Sequence, residues 1–543
     1  MLTLMPKMKV NYIISALSDS AILFVLGGKI MKIKQWVKSA AAGLTLLAIS
    51  NVAWAGGTMR YATVGEPPSL DQHVVTSDLA TTIAHHMFEG LYTFNAANAP
   101  VGLLATGETI SDDGKKITIS LRQGVKFHNG QDMTSADVVA SLKRWGEHGS
   151  RGGLLFGNVE GVEADGDYKV VIKLNTAFGP WKNLMAFING GPAIYPASVM
   201  EAAGKEPIQP EQYIGTGPYR FSEWKPNRHV ELVRFESYSS PDGSADGYAG
   251  KRDAKFDTLR FIPVPDVGTR VAGLRAGDYD YAESIPGDLY ADLDADPNVK
   301  TILNGGPIFG LVFLNSKDGP LKENFALRRA IQTAINKTPA LQVAIGPEGL
   351  WRANGSFLPE GNVWHTDSGA ENFSMGDAAK AKSMAEAAGY TGDPIKFMVS
   401  TNYPFHYDTA IVYTKQLAQA GFNIDLQVYD WATLIEKRAQ PDQWDLFFTH
   451  HGFVPDPILI SVMNDNYPGW WTTDEKAKLK AKFTASSDPA ERKAIWSDIQ
   501  ALIYEQVPTM KTGDVYTYNI ASTGLNGLGE ATLIWPHFWN VSN

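Results

Sequence analysis

The chain has 543 residues, 44% of them hydrophobic and 20% charged. That is enough apolar material for two or three packed domains, because a single core stops growing near 250–300 residues. Residues 1–55 hold six lysines and one aspartate; without them the 48 basic and 58 acidic side chains become 42 and 57, a net charge of −15 that excludes nucleic acid as a partner and suits a dispersed soluble protein. There is no cysteine, which excludes disulfides, a thiol nucleophile and a lipid-modified cysteine.

The N-terminus reads as an export signal with an overlong start. From Met31, Lys32, Lys34 and Lys38 precede an apolar run from Ala40 to Ile49, and the small-x-small triplet Ala53-Trp54-Ala55 offers a cleavage site ahead of Gly56. The run is too short to span a membrane as a helix, which needs about 20 residues. The expectation is a true start at Met31, cleavage after Ala55, and a freely diffusing protein in a Gram-negative periplasm.

Beyond the signal, strand and helix patterns alternate. Ile117, Ile119 and Leu121 predict a half-buried strand, as do Val170, Ile172 and Leu174. Between them, Thr134-Ser-Ala-Asp137 has capping-box form and opens a helix with Val138, Leu142 and Trp145 on one face. Leu327, Ala330, Ile331, Ala334 and Ile335 form a helical stripe after Asn324. Another helix is expected from Tyr407, with Ile411, Thr414, Leu417 and Ala418 leading to Gly421 as its C-terminal cap, followed by the strand Ile424, Leu426, Val428. Asp488-Pro489 opens a last long helix carrying Ile495, Ile499 and Leu502. The mixture means an α/β architecture.

Catalytic signatures are missing. There is no G-x-S-x-G elbow, no H-E-x-x-H helix and no phosphate loop; Gly215-Thr-Gly217 runs into Pro218 and lacks the third glycine of a dinucleotide fingerprint. Sequence neighbours such as His85-His86 and His450-His451 point in different directions and make no natural chelate. No cofactor and no metal are expected.

Several segments carry distinctive motifs: Gly65-Glu-Pro-Pro-Ser-Leu-Asp71, Leu121-Arg-Gln-Gly-Val-Lys-Phe-His-Asn-Gly130 with Thr134–Asp137 and Ser141-Leu-Lys-Arg144, and Ile214-Gly-Thr-Gly-Pro-Tyr219 with Trp224-Lys-Pro226. Leu274-Arg-Ala-Gly-Asp278, Phe313-Leu-Asn315 with Leu327–Ile331, Ala387-Ala-Gly-Tyr390 and Asp456-Pro457 complete the set. In order and spacing over residues 57–543 they resemble the bacterial dipeptide- and oligopeptide-binding proteins that serve ABC importers, solute-binding family 5. Gly130 and Gly217 are expected at turns with positive φ, and Phe127 and Phe313 in the core, so these motifs mark the scaffold more than the ligand.

The resemblance implies a periplasmic-binding-protein type II-like two-lobed fold with an extra inserted domain. Lobe I would comprise 56–90, 213–305 and 508–543, the inserted domain 91–212, and lobe II 306–507, with a solute in the cleft between lobes. It implies a ligand carrier, not an enzyme, working as a monomer with the permease subunits of an ABC importer. A periplasmic enzyme or chaperone on the same scaffold is the alternative, and it needs a catalytic constellation that the sequence does not display.

Two positions depart from the peptide binders. The aspartate that holds a peptide's ammonium aligns with Phe453, and the arginine that holds its carboxylate falls near Tyr403; a three-residue shift would instead put Asp456 in the first role. Ordinary dipeptides are therefore expected to bind poorly, since an unpaired buried charge costs several kcal/mol. Around the expected cleft, Tyr403, Phe405, His406, Trp431, His450, His451 and Phe453 supply aromatic and imidazole faces, and Glu66, Arg352 and Asp456 supply charge; Lys511 is a further cation that could face an acidic group. These suit a peptide, an opine or a sugar–amino-acid conjugate. An oligosaccharide and a metal–chelate complex are the alternatives.

Overall fold

The computed structural model describes residues 56–149, 151–528 and 534–543, together with short strands at 25–26, 29–30 and 531–532. Residues 55–543 form one compact unit. The expected signal features at Met31 and 40–55 lie outside the described residues. No described helix is long and apolar enough to cross a membrane.

Two large mixed sheets carry the fold. The first has eight strands; at its centre Thr258–Pro263, Thr58–Thr63 and Tyr281–Ile285 run parallel, and Tyr518–Ser522 and Val299–Asn304 extend it. The second has six: Trp351–Arg352, Thr509–Val515, Ile308–Leu314, Leu446–His451, Ile395–Ser400 and Ile424–Tyr429, in that order across the sheet. Thr509–Val515 falls within the 508–543 segment expected in lobe I, yet it pairs antiparallel with Ile308–Leu314, so the ladder places it in the second sheet.

The second sheet has helices on both faces, which is why Leu446-Phe447-Phe448 reads as one apolar run: Leu446 and Phe448 enter one core and Phe447 another. A third, four-stranded antiparallel sheet from 105 to 174 alternates instead. Ile117, Ile119 and Leu121 are buried beside the solvated residues between them, and the buried face packs with Val138, Leu142 and Trp145 of the helix Ser135–His148. The Thr134–Asp137 capping box forms as expected.

Local expectations fail where burial is set by distant partners. The helix expected from Tyr407 begins at Pro404, and its inward face is His406, Thr409, Ala410, Tyr413 and Leu417, while Ile411 and Thr414 are only half-buried and Ala418 is exposed. Gly130 has the expected φ of +87°, but Gly217 does not have a positive φ. Its side chain is excluded by contact instead: a Cβ there would lie 2.6 Å from the His86 carbonyl oxygen.

Buried, hydrogen-bonded charges brace the segments packed around the first sheet. Arg144 reaches Asp71 at 2.7 Å with both nearly fully buried, and its remaining donors meet the carbonyls of Gly204 and Glu206. Arg252 pairs with Glu89 at 2.9 Å, and Thr216 and Tyr238 donate to the same carboxylate. Histidines buried nearby are neutral by construction. His86 Nδ1–H donates to the Thr82 carbonyl while Nε2 accepts the Phe538 N–H at 3.0 Å. His73 Nε2–H meets the Ala193 carbonyl and Nδ1 accepts from Arg144. A second proton on either ring would face an existing donor.

Burial therefore pulls the pKa of His73 down to about 4 and those of His86 and His537 to about 3. The unfolded chain protonates these rings near pH 6.5, so their stabilisation is complete above that pH and is lost as pH falls toward 4, by about 1.4 kcal/mol per unit for each ring. Urea midpoints measured from pH 7.5 to 4.5 are expected to fall steadily below pH 6.5. A flat profile would contradict the neutral assignment.

Candidate functional site

A cavity of about 630 Å³ lies between the two large sheets. Tyr61, Glu283 and Asn519 of the first sheet form one wall, and the strand-end segment 451–455 of the second sheet forms another. Asp78, Arg151 and Asn189 close a third side, beside Phe187 and Trp535.

A backbone irregularity sets the first wall. The ladder between Tyr281–Ile285 and Tyr518–Ser522 slips between Ala282 and Ile285, and Ser284 takes φ +53°. A non-glycine residue held there costs on the order of 1–3 kcal/mol, and bulges of this kind re-aim side chains. Asn519 compensates by accepting the Ser284 N–H at 2.9 Å. Glu283 is held in the same stretch, its carboxylate accepting from Tyr61 O–H at 2.7 Å and the Val64 N–H at 2.8 Å; burial pushes its pKa up.

On the facing wall, His451 Nε2 accepts the Ser461 N–H at 2.9 Å, which puts the ring proton on Nδ1. Its ring lies flat against Phe309 at 5.7 Å, and burial lowers its pKa to about 4, so it meets a ligand as a neutral ring. Phe453 lines the cavity and packs on Phe187 at 6.0 Å and Phe94 at 6.3 Å, two residues of the inserted segment. The same seam is bridged by Asn183 Nδ2 to the Pro455 carbonyl at 2.8 Å and by Gly179 N–H to the Thr484 carbonyl at 2.7 Å.

Of the residues expected at the site, the cavity gathers His451 and Phe453. Tyr403, Phe405, His406, Trp431 and His450 instead pack together at the ends of the second sheet's parallel strands, with Tyr403 4.7 Å from His450 and 5.0 Å from Trp431. His406 Nε2 and His450 Nδ1 share a hydrogen bond at 3.0 Å, and burial drives the His406 pKa to about 3. His450 and His451 face opposite sides of one strand, which separates them. Asp456 is fully buried against Arg492 at 2.7 Å and caps the turn Pro457–Leu459, so it cannot take the ammonium-binding role. Glu66 accepts from Trp224 and from the Asn227 N–H, and Arg352 lies in a separate open groove with Glu360 and Tyr516. Lys511, the further cation considered, is buried against Asp514. Asp78, Arg151 and Glu283 were missed because nothing in their local sequence marks them.

One group among the described residues, Glu223, His229 and Glu231, has spacing suited to a metal ion. Lys225 already pairs with Glu223, and Arg260 with Glu231.

The model of the bacterial extracellular solute-binding proteins, family 5, matches residues 99–471. The chain belongs to this family. It is a solute-binding protein of the kind that serves ABC importers, and not an enzyme. A probable peptide ABC transporter periplasmic-binding protein, y4tO of Sinorhizobium fredii, is 28% identical over 493 residues, covering 87% of this chain and 91% of that protein. The glutathione-binding protein GsiB of Pectobacterium atrosepticum is 27% identical over 405 residues, 73% and 74% of the two chains. Among solved structures, AgaA of A. tumefaciens in complex with agropinic acid superposes with a TM-score of 0.64 at 24% identity, covering 88% of this chain and 96% of that one. These likenesses place the chain in the two-lobed α/β fold of the family.

Phe453 therefore acts as a packing residue across the seam between the inserted segment and the second sheet. Replacing it by Asp puts a carboxylate against Phe94 and Phe187 and removes ring contacts, with an expected loss of about 2 kcal/mol. Thermal unfolding should show Phe453→Asp well below wild type and Phe453→Leu close to it. An unchanged midpoint for the Asp variant would remove Phe453 from the seam.

Proposed function

We propose that the exported chain captures a small polar organic solute in the cavity between the two large sheets and delivers it to a membrane permease. The ligand is of peptide, opine or sugar–amino-acid conjugate type, and ordinary dipeptides are poor ligands. The observation that carries this reading is the cavity itself: about 630 Å³, within the range for small-molecule sites, with a mostly polar and charged lining among which Tyr61, Phe187, Phe453 and Trp535 offer aromatic faces. Two similar proteins carry names or ligands of the same chemistry, glutathione and agropinic acid.

In this reading the first sheet is the core of one lobe, residues 91–212 an inserted domain, and the second sheet, with Thr509–Val515, the core of the other lobe. The lobes are joined where Asn304 leads into Ile308 and where Val515 leads into Tyr518. Bending at these crossings closes the cleft and expels water, which strengthens each polar contact inside. The mature protein starts near Gly56, is periplasmic and not lipid-anchored, and works as a monomer.

Native mass spectrometry of freshly purified protein is expected to reveal one bound small molecule per chain. Adding that molecule back to stripped protein should raise the melting temperature, with about 2.7 kcal/mol of stabilisation at a hundredfold excess over Kd. Small-angle scattering should show compaction. Chemical conversion of the molecule, or binding without compaction, would overturn the proposal.

A further inference from the structure

Four ion pairs buried in the scaffold are closed on themselves: Arg144 with Asp71, Arg252 with Glu89, Arg492 with Asp456, and Lys511 with Asp514. The cleft is built differently. Asp78 and Arg151, both open to solvent, and the buried Glu283 line it without a direct ion pair to a described side chain, and Asp78 and Arg151 feel each other's charge across Asn189. Each is held in place by neutral groups. Arg151 donates to Asn189 Oδ1 at 3.0 Å and lies over the Phe187 ring at 4.9 Å. Asp78 accepts from Trp535 Nε1 at 3.0 Å and from Asn189 Nδ2 at 3.3 Å.

Asn189 thus touches a carboxylate with one end of its amide and a guanidinium with the other. It is 2% exposed, and its amide also reaches the Thr76 carbonyl and Thr81 Oγ1 at 3.1 Å each, so its orientation is fixed. Opposite charges one amide apart match a solute whose own opposite charges sit on one carbon. An α-linked dipeptide does not fit this description, because its ammonium and carboxylate belong to different residues, each of which adds up to about 3.5 Å of chain.

We propose that Asp78 and Arg151, ordered by Asn189, hold the ammonium and the carboxylate of a single intact α-amino-acid head. This rests on the cleft being the solute site. Arg151 offers the planar fork that carboxylates accept. Glu283, on the opposite wall, accepts a hydroxyl or amine from the remainder of the solute. Two classes keep the head intact: peptides linked through a side-chain carboxyl, and conjugates in which a sugar is carried on the α-nitrogen as a secondary ammonium. Both charges then come from outside the second sheet, from Arg151 and the helix Asp78–Ala84.

Calorimetric titration of stripped full-length mature protein tests this with four probes: glutathione, a fructosyl-amino acid, N-acetyl-glutathione and alanyl-alanine. Glutathione or the fructosyl-amino acid is expected to bind at least tenfold more tightly than the acetylated probe and alanyl-alanine. Arg151→Gln should lose at least tenfold of that binding and Arg151→Lys recover part of it, and Asp78→Asn should weaken it too, with ligand-free melting temperatures unchanged. Equal binding of the blocked probe or of alanyl-alanine overturns the assignment, as does failure of both head-bearing probes or indifference to Arg151→Gln. The cleft reading is tested apart from it by Gly452→Trp. Gly452 lines the cavity, and a Cβ there meets nothing within 4 Å. This variant should abolish capture of whatever solute copurifies with wild type; undiminished capture would overturn the cleft itself.

Discussion

An ion taken out of water must be given its solvation back by the protein, and this chain does so in two ways. In the scaffold it supplies the opposite charge: Arg144 and Asp71 tie the helix Ser135–His148 to the segment after the first central strand, and Ile208 N–H adds a further donor to Asp71. Breaking one partner of such a pair costs about 3–5 kcal/mol, because the other stays behind unpaired. In the cleft the buried Glu283 is held by Tyr61, the Val64 N–H and the nearby charge of Arg270, while Asp78 and Arg151 stay open to solvent and are oriented by Asn189 and Trp535. The scaffold's buried charges are paired within the protein, whereas two of the cleft's charges are left facing solvent.

The seam between the inserted segment and the second sheet is of another kind. It relies on a few directed contacts, Gly179 to Thr484, Asn183 to Pro455 and Val363 N–H to the Ala97 carbonyl at 2.9 Å, with Phe453 filling the space between. Gly179 could not be larger, since a Cβ would lie 1.7 Å from the Ser486 carbonyl oxygen. A net hydrogen bond contributes only about 0.5–1.5 kcal/mol, so these contacts hold far less strongly than the buried ion pairs of the scaffold.

The sequence announces what is local. The capping box at Thr134, the cap at Asn324 and the Asp488-Pro489 helix start each lie within a few residues of the groups they satisfy, and each forms. The family-like motifs also proved structural: Asp71 and Arg144, from two separate motifs, are the two halves of one buried pair. The cleft was largely illegible, because Asp78, Arg151 and Glu283 come from three distant stretches and meet only through topology. The imidazole and aromatic residues from 403 to 450 were conspicuous by composition, yet composition says nothing of which strand face a ring occupies. His450 and His451 show the limit, since one step along a strand sends a side chain to the opposite side of a sheet.

The two crossings between the large sheets run beside each other and are bonded together: the Asn304 N–H donates to the Thr517 carbonyl at 3.0 Å, and Asn304 Nδ2 reaches Thr517 Oγ1. A single tether would leave two bodies free to tilt, twist and roll. A doubled and cross-linked one resists twist and roll and favours a single swing, as two hinges do for a door. If a solute closes the cleft as proposed, a swing of this kind would bring the outer surfaces to nearly the same relative position whatever the cargo, and occupancy would be legible from outside as geometry alone.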